Sequence, residues 1–453
     1  MEQPLKLPDF IHKKITKNPS LVLGLSFIVL ILAGAVLLTM PFASADGKSL
    51  DFVDALFTST SASCVTGLIV RNTAAAWSIF GKIVIITLIQ IGGLGTMTMM
   101  AWVSILIGKR IGLSGRMFIK EQWSAESLKG LVRLMRFATL FTLSVEGIGA
   151  LLLSFRLIPL YGIKKGVAFS VFHSISAFCN AGFDLFGDSL VSFQGDYYVT
   201  LIIAGLIILG GLGFIVYVDL WHFPEKRRLR GQSKLVITTT AILLVAGTFL
   251  FYFFEATNVD TIAALPVPQK ILASFFQSTT FRTAGFNSID MGKMRDATVF
   301  FSFLLMFIGG SPGSTAGGLK TTTFAIVMSS AFATLKGQDD TVLFKRRVEE
   351  ETVRKAFSLF VIAIALVFAV AAFIVAFEKG VFQFMDILFE TISAFDTVGV
   401  SRGITGSLSS YSKLALSFTM YIGRIGPTTF AMGLFHDEHK KKYRYAEGKY
   451  IVG

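Results

Sequence analysis

The sequence predicts an all-α polytopic membrane protein: four parallel helix–pore-loop–helix repeats around a pseudo-fourfold pore, with eight transmembrane helices and four re-entrant pore helices. Three observations carry this prediction. The chain is strongly apolar, its basic residues cluster at alternate ends of the apolar stretches, and two short motifs each recur four times. Hydrophobic residues make up 53% of the 453 residues and the mean hydropathy is +0.67. A soluble assembly of this length does not carry that composition, so the surrounding solvent is lipid.

Apolar stretches near the spanning length of roughly 20 residues run over Leu21 to Met40, Trp77 to Ile107, Phe137 to Phe155 and Val199 to Val218. Further stretches cover Leu235 to Phe254, Val299 to Ile308 with a continuation past a Gly-rich break, Ala356 to Phe377 and Leu414 to Phe435. Lys6, Lys13, Lys14 and Lys17 precede the first stretch as they would in a signal peptide, but Met40-Pro41-Phe42 lacks a small-x-small cleavage pattern. The first stretch is therefore read as a retained anchor.

The net charge of +13 does not spread evenly. About two-thirds of the 42 Lys and Arg residues fall in the amino terminus, Lys109 to Arg136, Lys226 to Lys234, Lys336 to Lys355 and Lys440 to Lys449. Basic loops of this kind mark the cytoplasmic side, which places both termini in the cytoplasm of a multi-pass cell-membrane protein. The charge then addresses membrane lipid headgroups and not nucleic acid. Cys64 and Cys179 have no metal-type or redox-type neighbours, so neither a disulfide framework nor a zinc site is implied.

Between basic clusters the same order returns: a spanning helix, a short segment too short to span, and a second spanning helix. The repeats are predicted over 17–110, 129–228, 232–337 and 352–437, followed by a cytoplasmic tail over 438–453. The short segments run from Phe57 to Leu68, Phe172 to Phe183, Phe275 to Phe286 and Phe389 to Val400, each passing through Ser and Thr to one glycine. The second helices carry Ile91-Gly92-Gly93-Leu94-Gly95, Leu209-Gly210-Gly211-Leu212-Gly213, Ile308-Gly309-Gly310-Ser311-Pro312 and Ile422-Gly423-Arg424-Ile425-Gly426. An even number of crossings per repeat makes the repeats parallel.

Non-helical backbone at membrane depth must be buried in protein or line a water-filled path. Each short segment is predicted to be a half-helix ending near Ser63, Phe178, Phe281 or Phe395, with Asp54 and Asp386 suited to helix starts. Carbonyls after the half-helix can replace a cation's hydration shell. The candidate ion-binding residues are Val65, Thr66 and Gly67; Asn180, Ala181 and Gly182; Thr283, Ala284 and Gly285; Thr397, Val398 and Gly399. Glycine at the third place of each set permits the left-handed backbone that turns a carbonyl inward. No loop has a full potassium-channel filter sequence, so one ring is expected to be regular and the others loose.

In the third repeat the run Gly309, Gly310, Ser311, Pro312, Gly313, Ser314, Thr315, Ala316, Gly317, Gly318 cannot hold a helix and is the candidate gate beneath these loops. The alternative is a kink that adjusts packing. Arg424 stands where two other repeats have Gly93 and Gly211. An intramembrane Arg usually faces a polar cavity. It is read as an electrostatic barrier inside the filter, with a buried ion pair to Glu146 or Asp219 as the alternative.

These residues resemble the superfamily of potassium transporters that contains Trk, Ktr and plant HKT proteins, most closely the Ktr membrane subunits of the KtrB or KtrD type. The resemblance covers nearly the whole chain. It rests on Thr66-Gly67-Leu68, Asn180 to Phe183, Arg282 to Asn287, Thr397 to Gly399, the run Gly309 to Lys320, and Gly423 to Pro427. It implies a potassium-selective uptake pathway, a homodimer with one pore per protomer, and a cytosolic regulatory ring of RCK-type subunits similar to KtrA or KtrC. The nucleotide is then bound by that partner and not by this chain, K+ is the transported ion, Na+ is an activator, and no covalent cofactor is involved. Asp396 departs from the expected pattern, where Ktr proteins are expected to carry a small residue. An added carboxylate near the filter mouth bears on sodium discrimination, and a Na+-permeable or Na+-selective transporter of the same superfamily is the alternative.

Other features have plainer readings. Gly210 to Gly213 follows no strand and is read as helix packing in lipid, not as a dinucleotide loop. His173 is read as a half-helix side chain and not a ligand. The basic, aromatic stretch Ser114 to Phe137 is an interfacial linker. An organic-anion transporter would show inverted halves, and a membrane enzyme would need clustered ionisable groups that the apolar spans lack.

Overall fold

Four times the chain crosses, dips back and crosses again. The structure, a computed structural model, describes residues 19–96, 98–99, 117, 130–427 and 429–430. The amino-terminal lysines, most of the linker 114–137 and the tail 438–453 lie outside the described residues. The first repeat comprises α1 (Pro19–Thr39), α2 (Phe52–Ser63) and α3 (Ile79–Leu94). The second comprises α4 (Leu131–Phe178), α5 (Tyr197–Gly211) and α6 (Phe214–Trp221). The third holds α7 (Gly231–Glu255), α8 (Val267–Thr280), α9 (Asp296–Phe307) and α10 (Thr321–Leu335). A small antiparallel hairpin, β1 (Val342–Leu343) and β2 (Arg346–Arg347), leads into α11 (Glu350–Glu378), α12 (Phe384–Phe395) and α13 (Ser410–Ile425).

Among the described residues, α1, α4, α7 and α11 are long and apolar enough to cross a membrane. In α4 the chain breaks at Gly162 (φ 76°), three residues after Pro159, separating the span 131–161 from a re-entrant half-helix 163–178. Proline removes a helical N–H and glycine tolerates positive φ, so the break falls where both occur.

The second helices are shorter than the apolar runs predict, because every one of them breaks. Gly95 (φ 92°), Gly213 (φ 91°) and Gly426 (φ 96°) end α3, α5 and α13 at the same motif position. At Gly213 the bend between α5 and α6 is 93°. The third repeat breaks over Ile308 to Lys320. The sequence reading places a break in the third repeat alone; a single glycine of positive φ at or just past the C-cap suffices in the others.

In the first three repeats the same polar contact joins the first helix to the half-helix. Ser59 Oγ donates to the Ile31 carbonyl at 2.6 Å, Ser174 Oγ to Glu146 O at 2.6 Å and Ser278 Oγ to Leu244 O at 3.0 Å. Each accepting carbonyl lies three residues before a glycine, Gly34, Gly149 or Gly247, where a Cβ would overlap the same serine hydroxyl. At the far end Glu255 accepts from Arg295 N (2.9 Å), and Glu378 accepts from Ser409 N (2.9 Å), so the last residue of α7 and of α11 caps the second helix of its own repeat.

Candidate functional site

The four half-helices end at matching places, and the backbone beyond each adopts one unusual conformation. Gly67 (φ 99°), Gly182 (φ 69°), Gly285 (φ 76°) and Gly399 (φ 90°) are left-handed, and so are Val65 (φ 58°), Asn180 (φ 60°), Thr283 (φ 67°) and Thr397 (φ 50°) two residues earlier. The regular geometry therefore repeats at two levels, not at the glycine alone as the sequence predicts. Positive φ on the β-branched Val65, Thr283 and Thr397 is strained and persists only where surrounding structure over-determines it.

The loops form a closed ring. A Cβ added to Gly67 would lie 2.6 Å from the Ala181 carbonyl oxygen, one on Gly182 would lie 2.9 Å from Ala284 O, and one on Gly285 would lie 3.0 Å from Val398 O. A Cβ on Gly399 would overlap Thr66 O, which completes the circuit from the fourth repeat to the first. The carbonyls of Thr66, Ala181, Ala284 and Val398 thus surround one centre. Across it, Thr66 O lies only 3.3 Å from the position of a Cβ on Gly285. All twelve predicted ion-binding residues are brought together in this ring or one residue from it.

Hydroxyl groups on the half-helices hold the ring from behind, a role the sequence reading does not assign. Gly67 N and Gly399 N each donate to a serine hydroxyl, Ser61 and Ser393, at 3.0 Å. Ser176 and Ser393 donate to the Phe183 and Val400 carbonyls at 2.7 Å, and Thr280 donates to Phe286 O. In the third repeat the supporting hydroxyl sits five residues before its glycine instead of six and belongs to Thr280, the last residue of α8, which ends one residue before the predicted Phe281. Equal Phe-to-Gly spacing in all four segments hides that offset.

Asp54 and Asp386 fall within the first turn of α2 and α12 but do not cap them; Asp51 caps α2 through Val53 N at 3.1 Å. Instead Asp54 pairs with Lys413 (2.9 Å) and Arg71 (3.3 Å), and Asp386 pairs with Arg402 (2.7 Å). Lys413 ties α13 to the first repeat, and the Arg71 and Arg402 pairs tie the outgoing segments back to the half-helices. His173 does the same, accepting from Leu185 N at 3.1 Å, as a half-helix side chain should.

The second motif is a packing device. A Cβ on Gly92, Gly210 or Gly423 would overlap the carbonyl of Ser63, Phe178 or Phe395, so only glycine lets the second helix meet the half-helix C-terminus. Gly309 occupies this place in the third repeat but meets Gly317 O instead, since its helix has already unwound.

The unwound segment 308–320 crosses beneath the ring. Toward the second repeat, Ser311 N donates to Gly211 O (3.1 Å), Thr315 N to Gly210 O (3.3 Å) and Thr315 Oγ1 to Phe178 O (3.1 Å), while Gly313 O accepts from Phe214 N (2.9 Å). Toward the fourth, Gly318 N donates to Gly423 O (3.3 Å), and Gly317 and Gly318 lie against the side chains of Thr397 and Asp396. The loop is thus pinned by polar contacts to both flanking repeats, which its small side chains alone do not suggest.

Arg424 completes the arrangement. Its guanidinium donates to Thr315 O on the loop and to Gly92 O (2.6 Å) and Gly93 O (3.3 Å) at the end of α3. The carboxylate partners considered from the sequence are engaged elsewhere: Glu146 accepts from Gln90 Nε2 at 3.2 Å, and Asp219 accepts from Ser233 and pairs with Arg230 at 3.2 Å. Backbone carbonyls, not an acid, receive this charge. Asp396 stands at the loop side of the ring, with Oδ1 accepting from Leu319 N at 2.8 Å, and not at the outer mouth. A cavity of about 90 Å³ opens on the far side of the loop between Gly93, Phe214, Ser314, Lys320 and Arg424.

The arrangement can strip a cation of water at the carbonyl ring and obstruct it directly below. Over residues 12–438 the chain matches the family described as TrkH, cation transport protein. The chain belongs to that family. It is 40% identical to Ktr system potassium uptake protein B of Bacillus subtilis, over 98% of this chain and 99% of the relative. It is 39% identical to potassium/sodium uptake protein NtpJ of Enterococcus hirae, over 97% and 99%. The crystal structure of the potassium transporter TrkH from Vibrio parahaemolyticus superposes with a TM-score of 0.72 at 18% identity, covering 96% of this chain and 86% of that one, which establishes the shared fold. A family of cation transporters accounts for the polytopic helices; the chain is a membrane transporter and not an enzyme.

Proposed function

We propose that this chain is the membrane subunit of a potassium uptake system, conducting K+ through the ring at Gly67, Gly182, Gly285 and Gly399 and gated by the segment 309–318. The observation that carries this reading is the closed circuit of Thr66, Ala181, Ala284 and Val398 carbonyls. Four converging carbonyl dipoles replace the hydration shell of a monovalent cation, and four half-helix C-termini add partial negative charge beneath them. Names of the relatives support the ion: one is a potassium uptake protein, another a potassium/sodium uptake protein. The second name also favours Na+ as a permeant ion.

The gate reading is supported by the loop's contacts with the second and fourth repeats and, through Arg424, with the first. Control belongs to a cytosolic RCK-type ring that binds the nucleotide, acting on a homodimer whose termini face the cytoplasm; the Ktr-system relatives support a multi-component system. Deleting residues 312–316 while keeping Ile308 and Leu319 tests the gate. Rubidium flux in proteoliposomes should become high and independent of the partner ring. A correctly folded deletion variant with low, fully partner-dependent flux would show that the segment is a kink and not a gate.

A further inference from the structure

At the place where the half-helix of each repeat gives way to its loop stand Cys64, Cys179, Arg282 and Asp396. Cys179 faces Gln90 and Glu146, and Arg282 reaches Thr240. Among the described residues, Asp396 alone of the four has a hydrogen bond to the segment 308–320. Its side chain is fully buried, and Oδ1 accepts the Leu319 N–H at 2.8 Å where the loop returns to helix.

Three neighbouring features make that contact specific. Gly318 is left-handed (φ 67°), and a Cβ there would overlap Asp396 Oδ1, so the backbone is pressed against the carboxylate. A Cβ on Gly317 would likewise overlap the Thr397 hydroxyl, one residue into the ring. Lys320 Nζ donates to Ala316 O at 2.9 Å, closing the end of the loop on itself.

We infer that Asp396 is a latch: a positioning residue that fastens the exit of the loop to the fourth strand of the ring, so that the loop leaves the pathway only when this bond breaks. A hydrogen bond between a buried side-chain oxygen and a buried backbone N–H holds firmly, because breaking it leaves both groups unpaired away from water. It lies four residues beyond the Arg424 contact with Thr315, so two residues of the fourth repeat hold the second half of the segment. The inference rests on the reading of 309–318 as the gate.

The test is rubidium uptake by the full-length protein in proteoliposomes, with and without the partner ring. Asp396→Ala and Asp396→Ser cannot reach Leu319, whereas Asp396→Asn keeps an acceptor oxygen at the same distance. Ala and Ser variants should raise partner-free flux on the order of tenfold, as loss of one buried hydrogen bond permits, with the rubidium KM unchanged. Asn should remain close to the parent, a rescue that mere core damage would not give. If Ala fails to insert, the comparison of Ser with Asn decides. Ala and Ser variants that stay tight, or an Asn variant as leaky as Ala, overturn the latch. The 312–316 deletion run alongside separates the two readings: a leaky deletion with a tight Ala variant sinks the latch alone, and a tight deletion sinks both.

Discussion

Gly399 and Thr66 meet across the boundary between the last and first repeats, so closely that a Cβ on Gly399 would overlap the Thr66 carbonyl oxygen. Residues 333 apart in the chain therefore close the ring, and its width depends on four positions having no side chain.

Gly67→Ser is expected to lower the preference for potassium over sodium while leaving flux measurable. Gly67 has φ 99° and its Cβ would press on Ala181 O at 2.6 Å. A left-handed L-residue costs about 1–2 kcal/mol, and the overlap must be relieved by moving a carbonyl. Competition of rubidium uptake by sodium reads the change. Unaltered selectivity would remove the first loop from the filter.

Arg424→Ala is expected to raise basal cation flux on the order of tenfold, because bonds from a charged donor are worth about 1.5–3 kcal/mol each and a fixed positive charge beside a narrow path repels cations. Arg424→Lys separates the causes. It keeps the charge but cannot hold Thr315 O and Gly92 O together in a planar fork. A leaky Lys variant assigns the effect to the bridge, a tight one to the charge.

Gly423→Ala should reduce the yield of folded protein sharply, since its Cβ would overlap Phe395 O at the half-helix C-terminus. Gly205→Ala in α5 has open space around the added methyl and is the matched control. Alanine exceeds glycine in helix preference by about 1 kcal/mol, so the control should melt at the same temperature or higher. Equal thermal stability of the two variants would contradict the packing role of the second motif.

The fourfold recurrence was legible in the sequence because glycine at Gly67, Gly182, Gly285 and Gly399 leaves a mark at every repeat. The breaks at Gly95, Gly213 and Gly426 were not, since a lone glycine in an apolar run has the same appearance whether it packs, caps or bends a helix. Arg424 is visible in the sequence by its charge, but its bonding partners are not, because a counter-ion is sought among carboxylates such as Glu146 and Asp219 and the open carbonyls of a broken helix leave no mark. The supporting hydroxyls Ser61, Ser176, Thr280 and Ser393 lay within a run of similar residues, and only the folded geometry picks them out. Asp396 and Leu319 are 77 residues apart, beyond any local pattern.

The central claim is that the carbonyl ring selects potassium. Uptake of radioactive rubidium into proteoliposomes containing the purified chain together with its partner ring, competed in parallel by potassium, sodium and an organic anion, tests it most directly. Potassium should abolish tracer uptake at equal concentrations, sodium should compete far more weakly, and the anion should have no effect. Competition by sodium as strong as that by potassium, or inhibition by the anion, would contradict the account.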